Sequence, residues 1–354
     1  MDPKIWGNLP EELQERILSR LPLKTILSFR STCRRFNNLL SSPSFLSLLP
    51  PQLNPPHLLL LSHPNFPSHL LHSYDSSSHH WRSLSFSASH LTTSSLGLLC
   101  FQPSPTTLTV LNFLTRSSKS IDSPNCSSSL TLIPSPSRYK ILSTSADGAA
   151  SLYDSRSANW TTFAAYSGRA RISTAHSGAF FRGAVYFVTT PEPFGVVGFD
   201  VDRGRWVAAT AAGMPEEEGL VFVRLVGDGV GRRLMMVGGV GRDGISRSVR
   251  VWEMEEGSWR EIGRLPEMMV RKFGSVCYHN YGHVYGFWHE GGVCVGCYTW
   301  PEVLMFRPVL PDKWSGTCPT QPLDRLDQLC IAEVVLRVSE SIFIILMAFL
   351  NVIF

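Results

Sequence analysis

The chain has 354 residues, of which 44% are hydrophobic and 17% charged, and its formal net charge is +4. This length allows one large domain and one small domain, and the apolar fraction allows a sizeable core. The net charge is low and no Lys/Arg run is longer than two residues, which argues against a nucleic-acid-binding protein.

The first forty-five residues predict a small helical module. Apolar residues recur every four positions on one helix face, at Leu13, Ile17 and Leu21. Pro10 suits the first turn of this helix, and Pro22 is expected to end it. A second helical pattern from Ile26 to Leu40 is expected to end at Pro43. Helices of this size cannot fully bury their own apolar faces, so something else must cover them.

The same segment carries a specific set of motifs: Leu9-Pro10, Ile17-Leu18, Leu21-Pro22, Leu27, Arg30, the run Cys33 to Phe36, and Ser42-Pro43. Together they resemble an F-box, with Phe36 where many F-boxes carry Trp. An F-box docks on the Skp adaptor of SCF (Skp–cullin–F-box) ubiquitin ligases. The resemblance therefore places the F-box at residues 1–46 and assigns these residues to the Skp-facing surface: Leu9, Pro10, Ile17, Leu18, Leu21, Pro22, Leu27, Cys33 and Phe36.

A Pro-rich segment, residues 47–56, predicts a stiff linker, and from His57 short apolar runs alternate with Ser-, Gly- and Pro-rich stretches typical of β structure. An aromatic residue followed by an acid precedes a Trp by seven positions in four pairs: Tyr74 and Trp81, Tyr153 and Trp160, Phe199 and Trp206, Trp252 and Trp259. Weaker copies begin at Phe113 and Tyr298. The six leading aromatics are spaced 39, 40, 46, 53 and 46 residues apart, a period typical of a propeller or solenoid.

A short apolar run of strand length precedes each of these aromatics: Leu58–Leu61, Leu98–Phe101, Tyr139–Leu142, Ala184–Val188, Leu234–Val237 and Val284–Trp288. A tight hairpin would bring each aromatic and its Trp into one sheet neighbourhood, and stacked units would bury both rings between blades. The pattern resembles kelch repeats, most clearly in Met235 to Pro266, which contains the Gly238-Gly239 doublet. The resemblance implies a mainly β fold: a kelch-like β-propeller over residues 57–310, expected to have six blades.

Three segments stand outside the repeat. The Ser/Pro-rich stretch Thr115 to Ser137 predicts a mobile loop, and Gly227 to Arg233 predicts a hairpin turn. Residues 311–354 form an atypical tail that ends in thirteen almost wholly apolar residues, Ile342 to Phe354. Because a bilayer span needs roughly 20 residues, a membrane anchor is disfavoured. A closing strand, an apolar tail packed on the propeller and a misassigned end of the coding sequence remain as alternatives.

One cluster of metal-ligand residue types lies between Cys277 and Cys297: Cys277, His279, His283, His289, Cys294 and Cys297. A structural zinc site needs two ligand pairs at set spacings, and a single CxxC is a weak motif, so these residues are interpreted as buried small hydrophobes and turn histidines. The acids that follow the repeat aromatics favour a role in turns over a glycosidase carboxylate pair. No catalytic residue, metal or cofactor is predicted.

These features predict a non-catalytic substrate-recognition subunit of an SCF-type ubiquitin ligase. Its expected partners are the Skp adaptor, cullin through that adaptor, and a target protein on the propeller, with no nucleic acid and no membrane. Without a predicted signal peptide, and with eight scattered cysteines, the expected location is cytoplasm or nucleus. The alternatives are a propeller enzyme of oxidase or glycosidase type with a helical cap, and a Skp-bound scaffold that recruits no cullin.

Overall fold

The computed structural model describes residues 6–21, 23–48, 58–61, 70–75, 80–85, 91–95, 97–112, 117–124, 129–135, 138–190, 193–208, 214–215, 219–277, 280–289, 291–297, 303–308, 314–315 and 344–347. Among these described residues, four short helices come first, and antiparallel strands with one further α-helix follow. The predicted mainly β fold with an N-terminal helical module is confirmed. None of the described helices is long and apolar enough to cross a membrane.

The helical module contains α1 (Glu11–Leu18), α2 (Leu23–Arg30), α3 (Arg34–Leu39) and α4 (Pro43–Leu48). Pro10 caps α1 from outside the helix, one position before the turn predicted for it. The second helical pattern is two helices, and Pro43 opens α4, because proline has no N–H to lose in a first turn. The helices enclose one core: Leu18, Ile26, Leu39, Leu40 and Phe45.

The described strands form six antiparallel sheets. The first contains β1 (Leu58–Leu61), β2 (Leu70–Asp75), β3 (His80–Ser85) and β25 (Ile344–Met347). The second contains β4 (Leu91–Ser95), β5 (Leu98–Ser104), β6 (Thr107–Asn112) and β7 (Ser118–Asp122), and the third contains β8 (Ser129–Ser135), β9 (Arg138–Thr144), β10 (Ala150–Asp154) and β11 (Asn159–Phe163). The fourth contains β12 (Arg171–Ile172), β13 (Ala179–Phe181), β14 (Ala184–Thr190), β15 (Gly195–Asp200) and β16 (Arg205–Ala208). The fifth contains β17 (Leu220–Gly227), β18 (Leu234–Arg242), β19 (Ile245–Glu255) and β20 (Ser258–Arg264), and the sixth contains β21 (Val284–His289), β22 (Gly292–Cys297), β23 (Leu304–Phe306) and β24 (Trp314–Ser315).

Edge strands of neighbouring sheets contact one another, which arranges the sheets as a β-propeller. Contacts join β25 to β4, β4 to β8, β13 to β17, β17 to β21, and β21 to β25. Between the third and fourth sheets, Ser129 Oγ donates to the His176 carbonyl oxygen at 2.9 Å, and the Gly178 N–H donates to Thr131 Oγ1 at 2.8 Å.

The blade count differs from the six predicted. Among the described strands, five sheets are each built from consecutive strands, which gives five self-contained blades. The remaining sheet takes its fourth strand, β25, from the predicted tail, where Leu58 lies opposite Met347 and Leu61 opposite Ile344. Of the alternatives for the tail, the closing strand is therefore the one that the structure describes. The repeat could not show this, because the closing strand is separated from β1 by most of the chain.

All six predicted apolar runs lie on strands. Counted across the sheet from the edge strand that contacts neighbouring sheets, the run is the second strand in the first five sheets. The sixth run lies on β21, which is the first strand of its sheet. The stretch Thr115 to Ser137, predicted to be a mobile loop, contains β7 and β8 instead. The apolar side chains that Ser and Pro separate there, Ile121, Leu130 and Leu132, are buried in one cluster, which explains why the segment is ordered into strands.

In a hairpin with a four-residue turn, two residues that are seven positions apart can lie directly opposite each other on the two strands. The seven-residue spacing of the repeat has this origin. Three predicted pairs are opposed in this way: Tyr74 with Trp81, Tyr153 with Trp160, and Phe199 with Trp206. The fourth pair is offset, since Trp259 faces Met254 and Trp252 faces Glu261. The connection there has only Glu256 and Gly257, both at positive φ, as in a tight two-residue hairpin turn.

The weaker repeat copies are less regular. Phe113 and Tyr298 lie outside the described residues. Their predicted partners both lie on strands, Ser120 opposite Thr109 and Met305 opposite Cys294.

The repeat aromatics pack between neighbouring sheets. Tyr153 and Trp160 of the third sheet join a cluster with Leu98 and Leu108 of the second, and their ring centroids are 5.4 Å apart. Phe199 and Trp206 meet edge to face at 5.2 Å in a cluster shared with the third sheet. Trp252 and Trp259 share a cluster with Val188 and Phe194 of the fourth sheet. These three sheets therefore place their aromatics against the sheet before them.

The glycine doublet of the fifth sheet allows this close packing. A Cβ on Gly238 would lie 3.0 Å from the Trp252 ring, and a Cβ on Gly239 would lie 2.3 Å from the Phe222 ring. Real Cβ atoms do not come that close to a ring carbon, so Gly239 has to be glycine for Phe222 to lie on the sheet.

One helix was not predicted. The segment Glu267–Cys277 forms α5 between the fifth and sixth sheets and packs against β19. Its buried side chains, Val270, Phe273 and Cys277, follow steps of three and four and join Val249 and Val251 in one core cluster. This spacing was readable in the sequence, but a repeat of strands alone left no place for a helix.

Candidate functional site

The helical module exposes an apolar pair on α1. Leu13 and Ile17 are four residues apart, so they lie on one helix face, and each exposes 44% of its surface. We call these two residues the α1 pair. Most large apolar side chains described in the module are buried or half-buried, and only Leu48 is exposed to a similar degree, at 40%. An exposed apolar pair beside a closed core is typical of a protein-binding face.

The α1 pair lies on a packed base. Leu18 is fully buried in the helical core, so it stabilises the module and presents no surface to a partner, which differs from its predicted Skp-facing role. Leu21 and Phe36 are half-buried at the edge of this core. The Phe36 ring stacks on Phe29 with centroids 5.8 Å apart, which holds the aromatic that replaces Trp in position.

The remaining predicted Skp-facing residues differ in how exposed they are. Pro10 and Cys33 are exposed and Leu9 is half-buried. Cys33 precedes α3, and its Sγ accepts a hydrogen bond from the Phe36 N–H at 3.5 Å. Pro22 lies outside the described residues, as does the side chain of Leu27 on α2.

Two buried polar residues of α1 tie the module together, and sequence reasoning missed both. Gln14 Nε2 donates to the carbonyl oxygens of Trp6, at 3.1 Å, and Leu9, at 2.7 Å. Glu15 Oε1 accepts from Ser42 Oγ at 3.2 Å and from Ser44 Oγ at 2.7 Å, across the start of α4. Polar groups buried in this way must be paired, so these bonds fix α1, and with it the α1 pair, relative to the other helices.

Two of the acids that follow the repeat aromatics, Asp154 and Asp200, have the predicted role in turns. Asp154 Oδ1 accepts from the Arg156 N–H at 2.8 Å, and Asp200 Oδ1 accepts from the Arg203 N–H at 2.9 Å. Glu253 instead accepts two bonds from Arg233, at 2.6 and 2.9 Å, and this pair lies within one sheet. Turn capping and ion pairing occupy these carboxylates, which leaves them a structural role.

The cysteines of the predicted cluster that the structure describes lie in the hydrophobic core. Cys277, Cys294 and Cys297 are all buried, and a hydrogen bond between Cys277 and Cys297 together with burial raises the pKa of the Cys277 thiol far above its ordinary value. His289 is buried and His283 is half-buried on a short 3-10 turn, Tyr281–His283, while His279 lies outside the described residues. Across the described part of the chain, no three His, Cys, Asp or Glu side chains are grouped to hold a metal ion.

Comparison with known protein families divides the chain in the same way as the structure. Residues 6–48 match the F-box domain family, and residues 66–281 match the KIB1-4 beta-propeller family. The first match covers α1 to α4, and the second ends within the 3-10 turn after α5.

Relatives of the chain occur in plants. An F-box/kelch-repeat protein of Arabidopsis thaliana is 43% identical, over 89% of this chain and 86% of its own length. Protein ABERRANT PANICLE ORGANIZATION 1 of Oryza sativa subsp. indica is 27% identical, over 78% of this chain and 73% of its own length. F-box only protein 6 of Arabidopsis thaliana is 26% identical, over 77% of this chain and 61% of its own length.

Proposed function

Because this chain belongs to the F-box/kelch-repeat proteins, with an F-box followed by a propeller of the KIB1-4 family, we propose that it is the substrate-recognition subunit of an SCF-type ubiquitin ligase. In this role the F-box docks on the Skp adaptor, the adaptor connects the chain to cullin, and the propeller binds the protein to be ubiquitinated. The chain itself performs no chemistry and works in the cytoplasm or nucleus.

The α1 pair is the observation that carries the proposal. Leu13 and Ile17 are exposed although the module has a closed core beneath them. Burying the surface that these two side chains still expose is worth about 1 kcal/mol each, which favours an apolar partner surface. The bonds of Gln14 and Glu15 hold the pair in place before binding, which lowers the entropy lost on docking.

The propeller supports a receptor role through its rigidity. Its repeat aromatics and turn acids are used within and between blades, so the sheets form a fixed frame and the turns at their ends are available for recognition. Ubiquitin transfer then takes place on a partner enzyme, and it is accelerated because the target and the charged enzyme are held on one scaffold.

The test is reconstitution. We would express the full chain with a plant Skp adaptor, then add cullin with its RING subunit and follow assembly by size-exclusion chromatography. The expected result is one complex that contains all four proteins and is lost when residues 6–48 are deleted. A chain that elutes alone would contradict the proposal, and a complex with the adaptor that never takes up cullin would instead show a scaffold outside the ligase.

A further inference from the structure

The hairpin between β18 and β19 is longer than its counterparts. These strands have 9 and 11 residues, whereas the two central strands of the other five sheets have three to seven among the described residues. At about 3.3 Å of rise per residue, two extra residues lengthen a strand of this hairpin by roughly 7 Å. The tip runs from Arg242 to Arg247.

Hydrogen bonds to neighbouring segments hold this hairpin, at Gly241 beside the tip and at Ser246 within it. The Gly241 N–H donates to the Gly219 carbonyl oxygen at 2.8 Å. The Ser246 N–H donates to the Tyr281 hydroxyl at 2.7 Å, in a buried position, and the Tyr281 ring stacks on Phe222 with centroids 5.0 Å apart. The tip is therefore presented in one conformation, which lowers the entropy cost of binding a partner.

The tip and the adjoining helix expose apolar side chains. Ile245 on the hairpin exposes 43% of its surface, and Met268 on α5 exposes 76%, the highest value among the exposed large hydrophobic residues described. Since α5 buries Val270 and Phe273 against the core cluster that includes β19, Met268, Arg271 and Lys272 lie on its outer face. We call the exposed residues of the tip and of this helix face the hairpin surface.

The hairpin surface has an excess of positive charge. Its described cationic side chains are Arg242, Arg247, Arg271 and Lys272, and its acids are Asp243 and Glu267. Arg271 and Glu267 pair with each other at 2.5 Å. Arg242 and Arg247, which flank Ile245, form no ion pair with another described residue. The two guanidinium groups beside Ile245 are complementary to a partner segment in which an apolar side chain has a carboxylate on each side.

From this arrangement we propose that the hairpin surface binds an acidic segment of the target protein, in which an apolar side chain is flanked by Asp or Glu residues. The apolar side chain packs on Ile245 while the carboxylates pair with Arg242, which lies opposite Ile245, and with Arg247, two residues along the strand. This inference rests on the proposed receptor function and names the chemistry of its target.

The probes are three fluorescein-labelled twelve-residue peptides in a Gly/Ser background. One has a central Leu flanked by four Glu, the second has the same Leu flanked by four Lys, and the third has the four Glu with Ala in place of Leu. Their affinities for the full chain, purified with the Skp adaptor, are measured by fluorescence anisotropy. We expect the Glu/Leu peptide to bind at least tenfold more tightly than either of the others, and more weakly as salt rises from 50 to 200 mM.

The variants locate the site. The double substitution Arg242→Glu and Arg247→Glu is expected to lower the affinity for the Glu/Leu peptide at least tenfold. The matched control, Arg156→Glu and Arg232→Glu, makes the same charge change at exposed turns between other strands and is expected to alter the affinity less than twofold. Both proteins should keep the melting temperature of the unchanged chain.

Equal affinity for the three peptides, or an equal loss in the control variant, would overturn the inference. If the hairpin variant failed to fold, the peptide selectivity and salt dependence of the unchanged chain would still decide it. Adaptor binding is measured in the same samples. Loss of peptide selectivity with adaptor binding intact rejects the hairpin surface alone, whereas absence of adaptor binding rejects the proposed function.

Discussion

The F-box module and the propeller differ in how completely their apolar residues are buried. In the propeller, the repeat aromatics are enclosed between blades, as Phe199 and Trp206 are against the third sheet. In the F-box module, five residues form the core and the α1 pair remains exposed. Small modules bury a smaller fraction of their surface than large domains do, so the module's leftover apolar surface needs a partner and the propeller's repeats do not.

Because of this difference, we expect adaptor binding by the F-box and target binding by the propeller to depend on different interactions. The adaptor contact is expected to depend on apolar burial at α1 and to respond little to salt. Recognition by the propeller is expected to come from exposed hairpins and turns, where charge matters more, and therefore to weaken as salt rises.

The largest expected effect is in the propeller core. Phe199 is fully buried and contacts both Trp206 and Phe163 with centroids 5.2 and 5.4 Å apart. Replacing Phe199 by Ala should lower the free energy of unfolding of the propeller by about 3–5 kcal/mol, measured by denaturant titration. Adaptor affinity should not change, since the module has a separate core. If adaptor binding fell with propeller stability, the two parts would not be independent.

The tail strand should have the next largest effect. Deleting residues 342–354 removes β25, which pairs with β1 and contacts β4 and β21. Loss of about 2 kcal/mol of backbone hydrogen bonding should lower the melting temperature by roughly 4–8 °C. Deleting only residues 348–354 keeps the strand and serves as the control. An unchanged melting temperature in the longer deletion would mean that the first sheet does not depend on this strand.

A smaller effect is expected at the base of the α1 pair. Glu15→Gln removes the charge that accepts bonds from Ser42 and Ser44, and should destabilise the module by about 1 kcal/mol. Hydrogen exchange of the α4 amides should become faster as a result. Glu12→Gln, at an exposed position of the same helix, is the control and should leave the exchange rates unchanged.

The repeat was predictable because local geometry determines it. A seven-residue spacing equals opposition across a four-residue turn, and this holds for Tyr153 with Trp160 and for Phe199 with Trp206. At Trp252 and Trp259 the turn shortens to two residues, which spacing alone does not reveal. Similarly, α5 breaks the strand repeat, although Val270, Phe273 and Cys277 carried a readable helical spacing.

Long-range pairing was not predictable in the same way. The partner of β1 is a strand from the other end of the chain, and no periodicity connects Leu58 to Met347. Exposure within the module was also hidden from the sequence. Ile17 and Leu18 are adjacent apolar residues of one motif, but a helix turns about 100° per residue, so one is exposed and the other is fully buried.

The most direct test of the account is the affinity of the full chain for a plant Skp adaptor, measured by isothermal titration calorimetry. The double substitution Leu13→Gln and Ile17→Gln replaces the α1 pair by a polar residue that still forms helices well. The control is Val230→Gln, which changes a propeller residue that is 40% exposed. We predict at least a tenfold loss of affinity, about 1.4 kcal/mol, for the double variant alone, with an unchanged melting temperature. Equal affinity of the double variant and the unchanged chain would contradict the account.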